Sequence, residues 1–118
     1  MYLDKEYAMT ALADRRCAPC NADTPALDTQ AIQNHLDRIS DRWEVDADGR
    51  LVARLKFKNY YRTQAFVNAV AYIAHRESHH PDISFGYNTC RIELITHAID
   101  GLSDNDFISA AKIDALLD

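Results

Sequence analysis

The sequence contains little glycine, little proline and no long apolar run. Three glycines and three prolines among 118 residues exclude collagen-like and low-complexity chains, which are rich in these residues. No apolar stretch approaches the roughly 18 residues that a membrane-spanning helix requires, and no secretory signal is recognisable. We therefore expect one globular domain located in the cytoplasm, with no membrane partner.

Positive charge and cysteine are also scarce. The 18 Asp and Glu residues outnumber the 13 Lys and Arg residues, which gives a formal net charge of −5. Proteins that bind nucleic-acid backbones usually carry a basic surface, so no nucleic-acid partner is expected. Three cysteines are an odd number, which favours free thiols in a reducing compartment over a disulfide framework.

The first 24 residues show no sustained hydrophobic period and contain the motif Cys17-Ala18-Pro19-Cys20. A thioredoxin-type motif requires a strand–turn–helix context, and no strong strand precedes this pair. A structural zinc site would need two further ligands, for which only Cys90 and scattered histidines are available. We therefore predict a mobile N-terminal arm over 1–24 and a single domain over 25–118.

Three stretches show the hydrophobic spacing of amphipathic helices, at about 29–40, 60–77 and 104–117. Each stretch follows a residue that caps helices well, namely Asp28, Asn59 and Ser103. Asp106 stands three positions after Ser103, so the last helix is predicted to begin with a capping box. The apolar stripes of the three helices are Ile32-Leu36-Ile39, Phe66-Val70-Ile73-Ala74 and Phe107-Ala110-Ala111-Leu117.

Alternation with a period of two predicts four strands. The first contains Trp43, Val45 and Ala47 and ends at Asp48-Gly49, a strong hairpin signal. The returning strand has a predicted buried face formed by Leu51, Ala53, Leu55 and Phe57. Its opposite face, which meets water or a partner, carries Arg50, Arg54, Lys56 and Lys58, and only Val52 interrupts it.

Two further strands are predicted around 83–87 and 90–97, with His97 on the side of the last strand opposite Cys90. The element order is therefore helix, two strands, helix, two strands, helix. This order predicts an α+β fold, in which three helices pack on one face of a four-stranded antiparallel sheet.

The most distinctive stretch is His79-His80-Pro81-Asp82, followed by an isolated His97. Adjacent side chains diverge on a regular helix or strand, so both histidines can face one site only where the backbone turns. Pro81 favours such a turn, because the residue before a proline is displaced from the helical region. Imidazoles suit proton transfer or metal binding, so a proton-transfer site and a zinc site both stay open, beside the alternative of ordinary surface histidines.

With these elements assigned, residues 27–116 resemble the pterin-4a-carbinolamine dehydratase family. The resemblance depends on the order and spacing of the His79-His80-Pro81 stretch and the segments around it. The other matching segments are Asp48-Gly49 with Leu51, Phe57-Lys58-Asn59-Tyr60, Ala65-Phe66, Tyr87-Asn88, Thr96-His97, Gly101-Leu102-Ser103, Asp106 and Ala110-Ala111. The N-terminal Cys-x-x-Cys also resembles bacterial members.

The resemblance implies a hydro-lyase that converts 4a-hydroxytetrahydropterin, the carbinolamine left by aromatic amino acid hydroxylases, into quinonoid dihydropterin and water. It implies no metal and no cofactor, since the tetrahydropterin derivative is the substrate. It further implies a functional link to phenylalanine hydroxylase and a homodimer or homotetramer with sheets joined edge to edge. Animal members also act as dimerisation cofactors of a homeodomain transcription factor, so a non-catalytic binding module of the same fold is the alternative.

The same resemblance assigns the catalytic residues as His79, His80 and His97. We expect His79 and His97 to donate protons from different sides of the pterin, and His80 to bind and orient the ring. Such general acid–base catalysis is worth roughly 10²–10⁴-fold. The expected substrate-binding residues are Ser78, Pro81, Thr96 and Asp106, although Asp106 can equally be a carboxylate that only caps the last helix.

Two positions depart from the family pattern. His75 stands where members often carry glutamate, and Ile83 stands where some members carry tryptophan. His75 lies one helical turn before His79 and either joins the site or is an exposed helix histidine. Both departures bear on substrate affinity and selectivity more than on the reaction.

Overall fold

The computed structural model describes residues 11–118, so the first ten residues of the predicted arm lie outside the described part of the chain. The three α-helices in this part are α1 (Thr29–Leu36), α2 (Tyr60–Glu77) and α3 (Asp104–Ala115). The strands β1 (Trp43–Val45), β2 (Leu51–Lys56), β3 (Asp82–Phe85) and β4 (Thr89–Leu94) form one antiparallel sheet in the order β1-β2-β4-β3. The predicted fold class and element order are confirmed.

All three helices begin at the predicted capping residues. The Asp28 carboxylate accepts a hydrogen bond from Ala31 N–H at 2.8 Å, and Asn59 accepts one from Arg62 N–H at 2.9 Å. Ser103 forms the predicted capping box at the start of α3. These bonds satisfy backbone donors that have no partner within the first helical turn.

The first helix ends at Leu36, earlier than the predicted end near Ser40. The backbone N–H and the hydroxyl of Ser40 donate to the carboxylate of Asp114 on α3, at 2.9 and 2.8 Å. Because these polar groups are satisfied by α3, the chain does not need to continue the helix through Ser40.

The hydrophobic core lies between the sheet and the helices. The register aligns Trp43, Ala53, Ile92 and Ile83 in one row across the four strands. These residues belong to, or pack against, the same apolar cluster as Phe66 and Val70 of α2 and Phe107, Ala110 and Ile113 of α3. The predicted buried face of β2 therefore faces the helices, as the alternation required.

The opposite face of the sheet departs from the prediction at its centre. Val52 is 0% exposed and its partner in register, Glu93, is 8% exposed. The guanidinium groups of Arg50 and Arg91 both bind the Glu93 carboxylate. The predicted polar face thus contains a partly buried ion-pair cluster beside Val52, while Arg54 further along β2 is exposed as expected.

The end of β4 also differs from the prediction. The strand ends at Leu94, and the backbone of Thr96 pairs with Gly101 in an isolated bridge with an N···O distance of 2.9 Å. Between these two residues lies a short 3₁₀ helix, His97–Ile99, which Asp100 terminates in the left-handed conformation at φ 46°. The prediction that His97 lies on the strand opposite Cys90 is therefore wrong.

Residues 11–20 of the predicted arm contact α3. Leu12 is 2% exposed and belongs to the core cluster. The Lys112 ammonium donates to the Ala13 carbonyl at 2.8 Å, and Arg15 pairs with Asp104 at 3.4 Å. Mobility of the arm stays a prediction, but in the structure this part of it packs on the domain.

No helix among residues 11–118 is long and apolar enough to cross a membrane.

Candidate functional site

A cavity of about 550 Å³ lies beside the C-terminal end of α2 and the segment that follows β4. This volume falls within the usual range for small-molecule sites. The cavity is lined by six of the seven predicted site residues, namely Ser78, His79, His80, Pro81, Thr96 and His97. The structure thus brings these residues together, and their individual roles stay predictions.

The backbone at Ser78 explains how two adjacent histidines reach one cavity. Ser78 adopts the left-handed conformation, with φ 52° and ψ 38°, and its N–H caps α2 at the Ala74 carbonyl. A left-handed residue ends the helical path, so His79 and His80 no longer follow helix periodicity. Residues with a side chain adopt this conformation at a cost of roughly 1–2 kcal/mol, which the fold sustains at this position.

A buried carboxylate holds His79. The Asp106 Oδ1 atom lies 2.6 Å from Nε2 of His79, and Asp106 is 0% exposed. Its other oxygen accepts hydrogen bonds from Ser103 N–H at 3.0 Å and from the Thr96 hydroxyl at 2.7 Å. Since the carboxylate is surrounded by donors, Nε2 of His79 donates to it, and the other ring nitrogen, Nδ1, is left to exchange a proton with a ligand.

Asp106 does not line the cavity. It lies behind His79 and is 0% exposed, and its expected contact with substrate stays a prediction. Its capping role is present as well, because Ser103 N–H completes the capping box through the same carboxylate. The contact with His79 places Asp106 where it can orient the His79 ring.

The other two histidines reach the cavity from different segments. His80 follows His79 after α2, and His97 begins the short 3₁₀ helix after β4; both are exposed. Within residues 11–118, no three or more His, Cys, Asp and Glu side chains are grouped so as to hold a metal ion.

Sequence reasoning missed one wall of the cavity, which the N-terminal segment forms. The residues 16–20, including both cysteines of the Cys-x-x-Cys motif, line the cavity. Glu77 and Asn105, which also line it, hold this segment by hydrogen bonds to its backbone. No hydrophobic period or motif spacing indicated that residues so far apart in sequence would meet.

Burial and charge set the pKa values of two groups in this wall. Burial by itself would raise the pKa of Glu77, but the hydrogen bond from Cys17 N–H and the nearby Lys112 and Arg16 lower it below its usual value. Burial raises the pKa of the Cys17 thiol to about 11. Cys17 is therefore a poor nucleophile, unlike the cysteines of redox motifs.

The two departures from the family pattern lie outside the cavity. His75 is an exposed residue of α2 and does not line the cavity. Ile83 is partly buried and packs against the hydrophobic core. The exposed-histidine alternative for His75 is thus the one that the structure supports.

The model of the family described as pterin 4 alpha carbinolamine dehydratase matches residues 25–116. A Nitrosomonas eutropha protein named as a presumptive pterin-4-alpha-carbinolamine dehydratase is 54% identical over 106 residues, which cover 90% of this chain and 93% of that protein. A Legionella pneumophila (strain Corby) protein with the same name is 50% identical over 107 residues, 90% of this chain and 95% of the other.

Two solved structures are also similar. A transcriptional coactivator/pterin dehydratase from Brucella melitensis is 27% identical with a TM-score of 0.73, and the match covers 78% of this chain and 98% of that one. A pterin dehydratase-like protein identified as a RuBisCO assembly factor in the alpha-carboxysome is 30% identical with a TM-score of 0.56, covering 63% of this chain and 87% of that one. From the family match and the extent of these identities, the chain belongs to the pterin 4 alpha carbinolamine dehydratase family.

Proposed function

We propose that this protein is a hydro-lyase that removes water from 4a-hydroxytetrahydropterin to give quinonoid dihydropterin. The observation that carries the proposal is the His79–Asp106 pair, with a 2.6 Å contact, in a cavity that also contains His80 and His97. Membership of the pterin 4 alpha carbinolamine dehydratase family supports the same reaction.

The reaction needs two proton transfers. The C4a–O bond breaks as the departing hydroxyl is protonated and leaves as water, and the adjacent ring N–H gives up its proton as the C4a=N5 bond forms. Positioned imidazoles perform both tasks, because imidazole exchanges protons near neutral pH. The proposal requires no metal ion, no redox cofactor and no covalent intermediate.

His79 is the best-oriented of the three histidines. Its Nε2–H donates to the buried carboxylate of Asp106, which fixes the orientation of the ring. We assign to His79 the transfer of a proton through Nδ1, and to His97 a second transfer from another wall of the cavity. His80, next to His79 and exposed, binds and orients the pterin ring.

The wider setting is part of the proposal. The product is an oxidised pterin that a reductase must return to the tetrahydro form before a hydroxylase uses it again. We propose that the hydroxylase is phenylalanine hydroxylase, that the reaction takes place in the cytoplasm, and that the protein acts as a homodimer or homotetramer.

The decisive test measures the decay of freshly generated 4a-hydroxytetrahydropterin by stopped-flow absorbance. We expect wild-type protein to accelerate the decay, and His79→Gln to lose about 10²-fold or more of that acceleration. The matched control is His75→Gln, an exposed histidine of α2 outside the cavity, which should retain wild-type activity. Folded wild-type protein that leaves the decay unchanged would overturn the proposal.

A binding role is the second candidate, favoured by the similarity to the RuBisCO assembly factor. Dehydration depends on the histidines, whereas binding through another surface does not. A partner captured equally well by wild type and by a His79→Gln, His80→Gln, His97→Gln variant would support this candidate. Loss of capture in the triple variant would assign the cavity itself to the interaction.

A further inference from the structure

Five consecutive residues, Arg16 to Cys20, line the cavity. None of them has a proton-transfer role in the proposed reaction. We call these residues the strap. The proposed reaction uses the histidines from the end of α2 and the segment after β4, and it leaves the strap without a function. A wall built from a segment outside the sheet and the helices therefore needs an explanation of its own.

Two buried polar side chains hold the strap in position. The side-chain amide of Asn105 accepts from Ala18 N–H at 2.9 Å and donates to the Ala18 carbonyl at 2.7 Å. This pair of bonds mimics the pairing of a neighbouring β-strand. Glu77 accepts from Cys17 N–H at 2.8 Å and pairs with Arg16 at 3.0 Å. Asn105 is 6% exposed and Glu77 is 8% exposed, so both bonding sets are largely shielded from water.

The residues that hold the strap adjoin the His79–Asp106 pair. Glu77 precedes His79 by two positions at the end of α2, and Asn105 immediately precedes Asp106 in the first turn of α3. The strap therefore bridges the two elements that bring the histidine and its carboxylate together. A segment held in this way has a fixed position relative to the reacting groups.

The chemistry of the strap restricts what it can bind. The N–H groups of Cys17 and Ala18 are engaged by Glu77 and Asn105, and Pro19 has no N–H. The strap therefore offers the cavity no free backbone donor from Cys17 to Pro19. It offers the apolar surface of Ala18 and Pro19 and the sulfur of Cys20, which accepts a hydrogen bond from the Asn105 side chain at 3.1 Å. The amino and oxo edge of a pterin needs several hydrogen-bonding partners, whereas a ring substituent needs a surface of suitable shape.

We propose that the strap is the part of the substrate site that contacts the substituent on carbon 6 of the pterin ring and selects substrates by the size of that substituent. Asn105 and Glu77 are positioning residues that hold the strap. This inference rests on the proposed function and names the part of the substrate that this wall recognises.

The first experiment adds bulk to the strap. Cys20→Trp is compared with Asp23→Trp, which adds the same side chain to an exposed position outside the cavity. Each is assayed with a 6-methyl substrate and with a 6-(1,2-dihydroxypropyl) substrate. We expect Cys20→Trp to raise KM for the larger substrate at least tenfold, to raise KM for the methyl substrate less than threefold, and to change kcat less than threefold. Asp23→Trp should match wild type for both substrates.

The outcomes separate the two proposals. Wild-type protein that does not accelerate dehydration contradicts the proposed function. Active wild-type protein with equal KM changes for both substrates in Cys20→Trp, or with no change, overturns the assignment of the strap.

The second experiment needs no bulky variant. Cys20 lines the cavity and is partly exposed, whereas burial raises the pKa of Cys17 and of Cys90 to about 11. N-ethylmaleimide should therefore alkylate Cys20 first, as measured by peptide mass spectrometry. A non-reacting 7,8-dihydropterin with the dihydroxypropyl substituent should slow this alkylation at least fivefold, and 7,8-dihydro-6-methylpterin should slow it less than twofold. Equal alkylation rates with and without the larger ligand at saturation would overturn the proposal.

The positioning role of Asn105 is tested by the split between kinetic constants. Asn105→Ala removes both bonds to Ala18, so we expect a KM increase of at least fivefold for the larger substrate and a smaller change for the methyl substrate. Asn105→Asp keeps the acceptor for Ala18 N–H and should recover part of the loss. A uniform fall in kcat with unchanged KM would assign Asn105 to structural support of Asp106 alone.

Discussion

Two buried carboxylates on the same helix, Asp106 and Asp114, bind partners of different kinds. Asp106, in the first turn of α3, accepts from His79, Thr96 and Ser103. Asp114, two turns later, accepts from the Trp43 indole at 2.9 Å and from Ser40, with Arg42 nearby. Both side chains are surrounded by donors, and both tie α3 to other elements.

The two carboxylates differ in whether their hydrogen-bond partners keep a polar group that can still reach a ligand. Ser40 and Trp43, the partners of Asp114, join the segment after α1 and the start of β1 to α3. The groups that they donate are bound within the protein and do not reach a ligand site. The imidazole of His79 has a second nitrogen, and its ring lines the cavity. A buried carboxylate is therefore a sign of function only when one of its partners keeps a free group directed at a ligand site.

Asp106→Asn should have the largest effect on activity. The amide keeps the size of the side chain but is a weaker acceptor for Nε2–H of His79, so it holds the ring less firmly and we expect kcat to fall by about 10²-fold or more. Stopped-flow dehydration assays give kcat, and circular dichroism checks the fold. Asp114→Asn is the matched control on the same helix, and an equal fall in kcat in both variants would contradict the distinction between the two carboxylates.

Asp114→Ala should have the largest effect on stability. Removal of the carboxylate leaves the Trp43 indole and the Ser40 backbone N–H without a partner, so we expect the free energy of unfolding to fall by about 3 kcal/mol. Urea denaturation measures this change. The exposed Asp118, which also pairs with Arg42, is the control, and Asp118→Ala should change stability by less than about 0.5 kcal/mol. Activity per folded molecule of Asp114→Ala should stay near that of wild type.

Glu77→Gln tests a third carboxylate, which holds backbone near the site, and should have the smallest effect at neutral pH. The pKa of Glu77 is lower in the folded protein than its ordinary value of 4.5, so ionised Glu77 stabilises the folded state above that value. This stabilisation is lost progressively as the pH falls from 4.5, the ordinary pKa, through the lower pKa that Glu77 has in the folded protein.

Melting temperatures between pH 7 and pH 3 measure this dependence. Over the acidic part of the range, the melting temperature of the wild-type protein should fall further than that of Glu77→Gln. The variant has no carboxylate at this position that could be protonated. Parallel curves for the two proteins would show that Glu77 does not contribute to the acid sensitivity of the fold.

Local patterns predicted the elements well. The caps at Asp28, Asn59 and Ser103 and the alternation in β2 depend on residues within a few positions of one another, so the sequence contains the whole signal. The cluster of His79, His80 and His97 was predicted through family spacing, and the structure brings the three residues to one cavity.

The failures involve contacts between distant residues. Val52 interrupted the predicted polar face, and the sequence did not indicate that its partner in register would be Glu93 or that Glu93 would bind Arg50, 43 positions away. No sequence pattern indicated that Asp106 would contact His79, which lies 27 positions earlier in the chain. The strap has no periodicity, and its position depends on Glu77, 60 residues from Cys17, and on Asn105, 87 residues from Ala18.

The same sequence separations impose an order on biosynthesis. The strap leaves the ribosome well before Asn105 and Lys112, which bind Ala18 and Ala13. Contacts of this length close late, because the entropy of a long loop must be overcome before the bonds form. The wall that the strap forms therefore cannot be in place before α3 is synthesised, so the ligand site is completed only after the segments that contribute its histidines.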